Sequence, residues 1–171
     1  MRQILHRATF ETPIGPMLAL TSAAGLCALE FELPTRQKLL AARLEKWFTE
    51  YEMGEMESMP EIRKAHIANW LTAYFHREFP APPLLDLRGS VFEQTVWKAL
   101  LEIPVAQTTT YGSLAESLGI PGSARAIGTA VRRNPISLIV PCHRVVGSDG
   151  ALRGYGGGVP QKQWLLQHEA R

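Results

Sequence analysis

The stretch of this 171-residue chain best equipped for chemistry is Ile-Val-Pro-Cys-His-Arg-Val-Val-Gly, residues 139–147. Only two cysteines occur, Cys27 and Cys142, too few for a disulfide framework. Cys27 lies in an alternating, strand-like run and reads as a small buried hydrophobe. Cys142 has other company. A thiol attacks as its thiolate, and an adjacent base or cation favours that form. His143 can be the base, and Arg144 adds positive charge or else serves as a structural hydrogen-bonding group. The apolar lead-in reads as a strand that delivers Cys142 to a pocket floor. Neighbouring side chains on a strand point to opposite faces, so Cys142 and His143 cooperate only if Pro141 turns the chain or a water lies between them.

A histidine used as a base needs a third group to orient it. In the C-terminal helical run Gln-Lys-Gln-Trp-Leu-Leu-Gln-His-Glu-Ala, Glu169 follows Leu165 by one turn and shares its inward side. A carboxylate there needs a partner, and imidazole is a natural one; the alternative is an exposed glutamate at a frayed helix end. Zinc would need three or four ligands at suitable spacing. There is no Cys-x-x-Cys, and His6, His66, His76 and His168 are scattered, so no metal and no cofactor are expected. Gly-Tyr-Gly-Gly-Gly, 154–158, lacks the lysine and hydroxyl of a phosphate loop and reads as a tight loop exposing backbone N–H groups near the cysteine.

These groups must be held by a scaffold. Runs 8–12, 17–21 and 26–31 read as strands, 35–49 as a helix, 50–61 as a solvated acidic loop and 61–79 as a second helix. Pro80 stops that helix, and the proline-rich 81–89 reads as a linker between an N-terminal α/β domain, 1–80, and a second domain, 90–171. In the second half Ser90 and Glu93 form a capping box for a helix that runs to Pro104. Then come a short helix stopped by Gly119, a turn at 120–122, and a helix over 123–133 ended by Asn134-Pro135: a helix-turn-helix pattern in an overall α+β chain. On the second of these helices Ala124, Ile127, Gly128 and Val131 should pack inward, leaving Arg125, Ala126, Thr129, Arg132 and Arg133 outside. Gly128 costs about 1 kcal/mol in a helix interior, so something should approach closely there.

Composition sets the partner class. The chain is 46% hydrophobic and 20% charged, with a net charge of +2. It is globular in character, without an apolar run of membrane-spanning length. The first residues, Met-Arg-Gln-Ile-Leu-His-Arg, do not resemble a secretion signal, and a cytoplasmic location is expected. No acid occurs between Glu116 and Asp149, whereas Arg125, Arg132, Arg133 and Arg144 do, a bias suited to a polyanion. A helix with a small outer centre fits the minor groove of DNA, where base readout is poor. Duplex binding with little sequence preference is therefore expected.

Pro-Cys-His-Arg-Val-Val-Gly, with Ala-Arg-Ala-Ile-Gly-Thr-Ala-Val-Arg-Arg-Asn-Pro before it, Gly-Tyr-Gly-Gly-Gly behind and Trp-Leu-Leu-Gln-His-Glu at the end, resembles the O6-alkylguanine-DNA alkyltransferases over about Phe92 to Glu169. The resemblance implies an RNase H-like N-terminal domain and a mainly helical DNA-binding, alkyl-accepting one. It makes Cys142 the alkyl acceptor, His143 the proton acceptor through a bridging water, Glu169 its holder, and Asn134 an organiser of the turn. It puts Tyr111 at the pocket against the flipped guanine or its phosphate, and gives the Val145 carbonyl to the guanine amine. Tyr155, Gly156 and Gly157 become the pocket wall and donors to O6. Arg125 becomes the finger filling the vacated base stack. Ala126, Thr129 and Arg132 then belong to the DNA-facing helix. Gly156 stands where the family usually has alanine or serine, and Cys27 alone cannot form the N-terminal zinc site of some animal members. The implied reaction is a single, irreversible turnover on double-stranded DNA carrying O6-alkylguanine, or O4-alkylthymine, by a monomer. Two other functions fit fewer residues: a lesion sensor that flips the base without repairing it, and a thiol-based redox regulator, which would want a resolving cysteine nearby.

Overall fold

The computed structural model describes residues 3–171, so the first two positions of the stretch read for a leader lie outside the described residues. The architecture is α+β, in two compact units that meet in sequence at Arg88 and Gly89. The first holds a four-stranded sheet in the order β3-β2-β1-β4: β1 Gln3–Phe10, β2 Met17–Thr21, β3 Leu26–Phe31 and β4 Tyr51–Met53. β1, β2 and β3 form an antiparallel meander, and β4 joins β1 in parallel. Helix α1, Pro34–Trp47, lays Leu40 and Leu44 into one cluster with Leu5, Leu20, Cys27 and Ala28, and α2 spans Glu61–Phe75. Beneath α1, Glu30 takes two hydrogen bonds from Arg36, at 2.8 and 2.6 Å, with Arg43 at 3.7 Å.

Three expectations change. The 50–61 run is not all loop, because its start forms β4. Three residues are too few to show alternation, and the strand exists because β1 offers a free edge. β1 itself begins at Gln3 rather than residue 8. Helix α2 stops at Phe75, not at Pro80. The N–H of Glu78 turns back to the Ala73 carbonyl (2.9 Å), with Arg77 left-handed at φ 65°. That closure is usually made by glycine, so an arginine hid it. Residues 84–86 are pinned along β3, Leu26 N–H donating to Leu84 and Asp86 N–H to Leu26.

The second unit has α3 Val91–Leu101, a short β5 Thr109–Thr110, α4 Tyr111–Ser117, α5 Ala124–Arg132, β6 Val145–Val146 paired with β5, and α6 Val159–Ala170. The capping box of α3 closes in both directions: Ser90 Oγ accepts from Glu93 N–H and Ser90 N–H donates to Glu93 Oε2. α4 ends as the sequence indicates, with Gly119 at φ 72° and the Ile120 N–H on the Ala115 carbonyl. α3 and α5 are tied by Trp97, whose indole N–H donates to the Ala130 carbonyl at 2.8 Å. α5 buries Ile127, Ala130 and Val131, while Ala124 and Gly128 are only half-buried. The remaining correction concerns residues 136–144. They are buried but form no strand, and Cys142–Arg144 is one turn of 3-10 helix. Buried backbone needs partners, and here a side chain eight residues before the cysteine supplies several of them.

Candidate active site

That side chain is Asn134, 1% exposed. Its Oδ1 accepts from Ile136 N–H at 3.0 Å, and its Nδ2 donates to the Val140 carbonyl at 2.8 Å and to Cys142 Sγ at 3.1 Å. One amide therefore replaces a strand ladder for this segment and also aims a donor at the sulfur. Pro141 enters the turn, which closes with Arg144 N–H on the Pro141 carbonyl. Cys142 and His143 are buried consecutively on a turn instead of lying on opposite faces of a strand.

His143 is fully buried, with Nε2 2.7 Å from Glu169 Oε1. Its other nitrogen, Nδ1, has no hydrogen-bond partner among the described residues, so the ring does not bond the thiol directly. Glu169 also receives Arg144 Nε on Oε2 and Nη2 on Oε1, both at 2.9 Å, and Arg144 Nη1 donates to the Ile103 carbonyl at 2.6 Å. Burial pushes the Glu169 carboxyl up, but the hydrogen bonds and charges of His143 and Arg144 outweigh it and hold the group well below the ordinary carboxylate range. Burial pushes His143 down, and although Glu169 pulls it back, Arg144 and Lys162 add to the lowering, leaving it below its ordinary value. At neutral pH the pair is a carboxylate and a neutral imidazole. The carboxylate accepts, so the ring proton sits on Nε2 and Nδ1 carries the lone pair. The arrangement is a base with a fixed tautomer and an open accepting nitrogen.

Around this group stand the residues named for the pocket. The Tyr111 hydroxyl donates to the Arg153 carbonyl at 2.9 Å, and burial pushes its pKa up, helped by nearby Cys142 and opposed by Arg132. Tyr155 is buried, its ring edge-on to His143 with centroids 6.4 Å apart. Gly156 and Gly157 follow in a turn in which Gly158 N–H reaches the Tyr155 carbonyl. The Val145 carbonyl accepts from Lys162 Nζ at 2.5 Å.

Lys162 was not among the residues singled out from sequence. It is 1% exposed, its ammonium shared between the Val145 and Arg153 carbonyls, and burial depresses its basicity with Cys142 partly opposing. A signal existed: Lys162, Leu165 and Glu169 are the buried residues of α6, at spacings of three and four.

On the same unit a groove of about 540 Å³ opens along α5, lined by Arg125, Gly128, Thr129 and Arg132 together with Tyr111 and Arg153. Ala126 is exposed but does not line it. Arg133 lines it too, drawn to Glu93 at 3.2 Å. Thr129 spends its hydroxyl on the Arg125 carbonyl. Gly128 faces the Tyr111 ring, and an added Cβ would sit 3.7 Å from it, an ordinary contact. The expected close approach at Gly128 is thus not made by the chain itself. Among the described residues no three His, Cys, Asp or Glu side chains converge on a metal position, and no helix is long and apolar enough to cross a membrane.

Comparison with known proteins gives a consistent result. Residues 91–171 match the family described as 6-O-methylguanine DNA methyltransferase, DNA binding domain. A methylated-DNA–protein-cysteine methyltransferase from Mycobacterium tuberculosis is 40% identical over 166 residues, 97% of this chain and 93% of the relative. One from Methanosarcina acetivorans is 38% identical over 166 residues, 96% and 98% of the two chains. Among solved structures, that of Mycobacterium tuberculosis OGT in complex with DNA superimposes with a TM-score of 0.77 at 39% identity, covering 96% of this chain and 92% of that one. The O6-methylguanine-DNA methyltransferase of Pyrococcus kodakaraensis strain KOD1 gives 0.65 at 28% identity, covering 98% and 99%.

Proposed function

The chain belongs to the methylated-DNA–protein-cysteine methyltransferases, enzymes of alkyl-transfer DNA repair, and from that premise we propose that Cys142 takes the alkyl group from O6 of a guanine flipped out of duplex DNA, once per molecule. The observation that carries this reading is the pairing of an Asn134-held sulfur with a neutral His143 whose Nδ1 is open while Nε2 is locked to Glu169.

Cys142 gives its proton to a water, which passes one to His143 Nδ1. The sulfur pair forms the S–C bond as the C–O6 bond breaks, and the electron pair of the broken bond stays on the base, which becomes guanine on taking one proton. The imidazolium that results is stabilised by Glu169, itself fixed by Arg144. Backbone N–H groups at Gly156 and Gly157 meet the developing charge on O6, Tyr155 walls the base, and the second lone pair of the Val145 carbonyl takes the guanine amine. Tyr111 stands where base and flanking phosphate pass. A base inside a duplex cannot reach buried Cys142, and extrusion costs a few kcal/mol, less for a weakly paired lesion. Arg125 occupies the vacated stack, with Ala126, Thr129 and Arg132 on the minor-groove face, and the same pocket admits O4-alkylthymine as a smaller substrate.

The product is a thioether, which has no easy leaving group. Cys27 belongs to the sheet of the other unit, and burial, with Asp86 adding to it, pushes its thiol up to about 12, so it is no resolving nucleophile. Turnover therefore ends after one transfer. Incubation with duplex carrying labelled O6-methylguanine tests the reading: one label per chain on Cys142 is expected. Absence of label there, or transfer surviving Cys142→Ser, overturns it.

A further inference from the structure

We propose that Arg153 is a phosphate-binding residue of the α5 groove, held by Asp149 until a DNA phosphate takes that carboxylate's place. The inference rests on the reading of the groove as the DNA face, and it adds a contact outside the helix-turn-helix.

Arg153 belongs to the loop after β6, yet it lines the groove with Arg125 and Arg132. Its Nη2 donates to Asp149 Oδ2 at 2.6 Å, with the two side chains 70% and 56% exposed. The other carboxylate oxygen accepts from Ala151 N–H at 3.1 Å. That N–H, and less strongly the Arg153 charge, keep the Asp149 carboxyl below its ordinary range, so the pair is ionised at neutral pH. Asp149 is also the first acid in the sequence after Glu116. Two arginines of this basic groove are thus paired with carboxylates, Arg133 with Glu93 and Arg153 with Asp149, and only the second pair lies outside the helix-turn-helix and its preceding helix. An exposed ion pair contributes little to stability, and a DNA phosphodiester, with the same single charge, offers the guanidinium two free oxygens where Asp149 offers one, its Oδ1 being taken by Ala151 N–H. Exchange of Asp149 for phosphate therefore needs no rearrangement of the fold.

The main chain of Arg153 gives the contact its purpose. Its carbonyl accepts from the Tyr111 hydroxyl at 2.9 Å and from Lys162 Nζ at 3.0 Å. The residue is thus fixed to the pocket frame at the start of the Gly154–Gly158 wall. A phosphate gripped by its side chain is registered to the pocket, whereas a phosphate gripped by α5 is registered to the helix.

The test is fluorescence anisotropy with a labelled undamaged duplex, across a salt series from about 50 to 200 mM, for wild type, Arg153→Ala, Arg153→Lys, Asp149→Asn and the Asp149→Asn/Arg153→Ala pair. Arg153→Ala should make the log–log salt slope shallower by about one unit, and lysine should restore it. Asp149→Asn should tighten binding several-fold where Arg153 is present and much less where it is alanine. A wild-type slope in Arg153→Ala, or equal tightening by Asp149→Asn in both backgrounds, overturns the proposal. Circular dichroism of each variant checks folding. Label transfer to wild-type Cys142 is run alongside: its failure defeats the functional reading, whereas transfer with an unchanged Arg153→Ala slope defeats this inference alone.

Discussion

Cys27 and Cys142 are both buried, 0% and 5% exposed, yet hydrogen bonding treats their sulfurs in opposite ways. Cys27 Sγ donates to the Leu20 carbonyl at 3.3 Å, an acceptor that suits only the protonated thiol. Cys142 Sγ accepts from the Asn134 amide at 3.1 Å, a donor that also suits a sulfur bearing charge. The contrast repeats in their carboxylates. Glu30 is enclosed by Arg36 and Arg43, and Glu169 by Arg144 and by a histidine whose far nitrogen is left open. Burial and charge pairing alone do not mark a reactive centre. What marks it is the combination of a sulfur held by an amide donor with a neighbouring imidazole whose second nitrogen has no partner among the described residues.

The largest effect should separate the cysteines. Cys142→Ser abolishes label transfer, whereas Cys27→Ala leaves single-turnover transfer near wild type and costs about 1 kcal/mol in urea unfolding, the scale of one buried small group. Loss of transfer in Cys27→Ala, with the fold intact, would break the comparison.

The carboxylates come next. Glu169→Gln removes the charge that holds His143 and its imidazolium, and transfer should slow by about 10²-fold or more, the usual scale for a disabled general base. Glu30→Gln strands Arg36 and should cost about 3–5 kcal/mol of stability, with the transfer rate of the remaining folded protein unchanged. Rates are read by quenched single-turnover assays and stability by denaturant titration.

Protonation of His143 is a milder version of the same injury. Because its folded value lies below the ordinary 6.5, the folded chain declines a proton that the unfolded chain accepts just under that pH. Its contribution to stability is complete above 6.5 and lost as pH falls toward the folded value. The transfer rate should stay flat through pH 7 and decline about tenfold per unit only once pH drops below the folded value. An acid limb centred above 6.5 would show that the pull of Glu169 outweighs burial at this imidazole.

Arginines divide likewise. Arg36 is spent on Glu30, while Arg125 is exposed in the groove. Arg125→Ala should slow repair in duplex about tenfold, roughly 1.4 kcal/mol of lost support for the extruded state, with a much smaller effect on reaction with free O6-benzylguanine. Equal losses on both would remove its role in the base stack.

The sequence made some of this legible and hid the rest for identifiable reasons. The capping box of α3, the stop of α4 at Gly119 and the inward placement of Glu169 each depend on residues within about one helical turn, so spacing suffices. β4 escaped because its pairing with β1 is set by residues some fifty positions away. Pro141 pointed to the turn at Cys142, but the strand expected before it is absent, because an apolar run reads as strand unless one knows that Asn134 will satisfy its backbone. Lys162 escaped because lysine is read as surface by default, although its spacing to Leu165 and Glu169 pointed inward.

Glycine gives the smallest and most discriminating comparison. At Gly25, φ is 154° and a Cβ would lie 2.6 Å from the Leu84 carbonyl oxygen, so the fold itself demands glycine where residues 84–86 meet β3. At Gly128 the helix is regular and a Cβ would meet only the Tyr111 ring, at 3.7 Å. Alanine there should therefore raise helix stability by up to about 1 kcal/mol, seen as a higher thermal midpoint, where Gly25→Ala lowers it. If Gly128 is kept for a ligand that slides along α5, the same stabilised variant binds duplex several-fold more weakly, because a methyl group now stands on the groove floor. A Gly128→Ala protein that is more stable and binds duplex as well as wild type would mean that DNA does not approach that face of the helix, and the groove would have to be assigned to another partner.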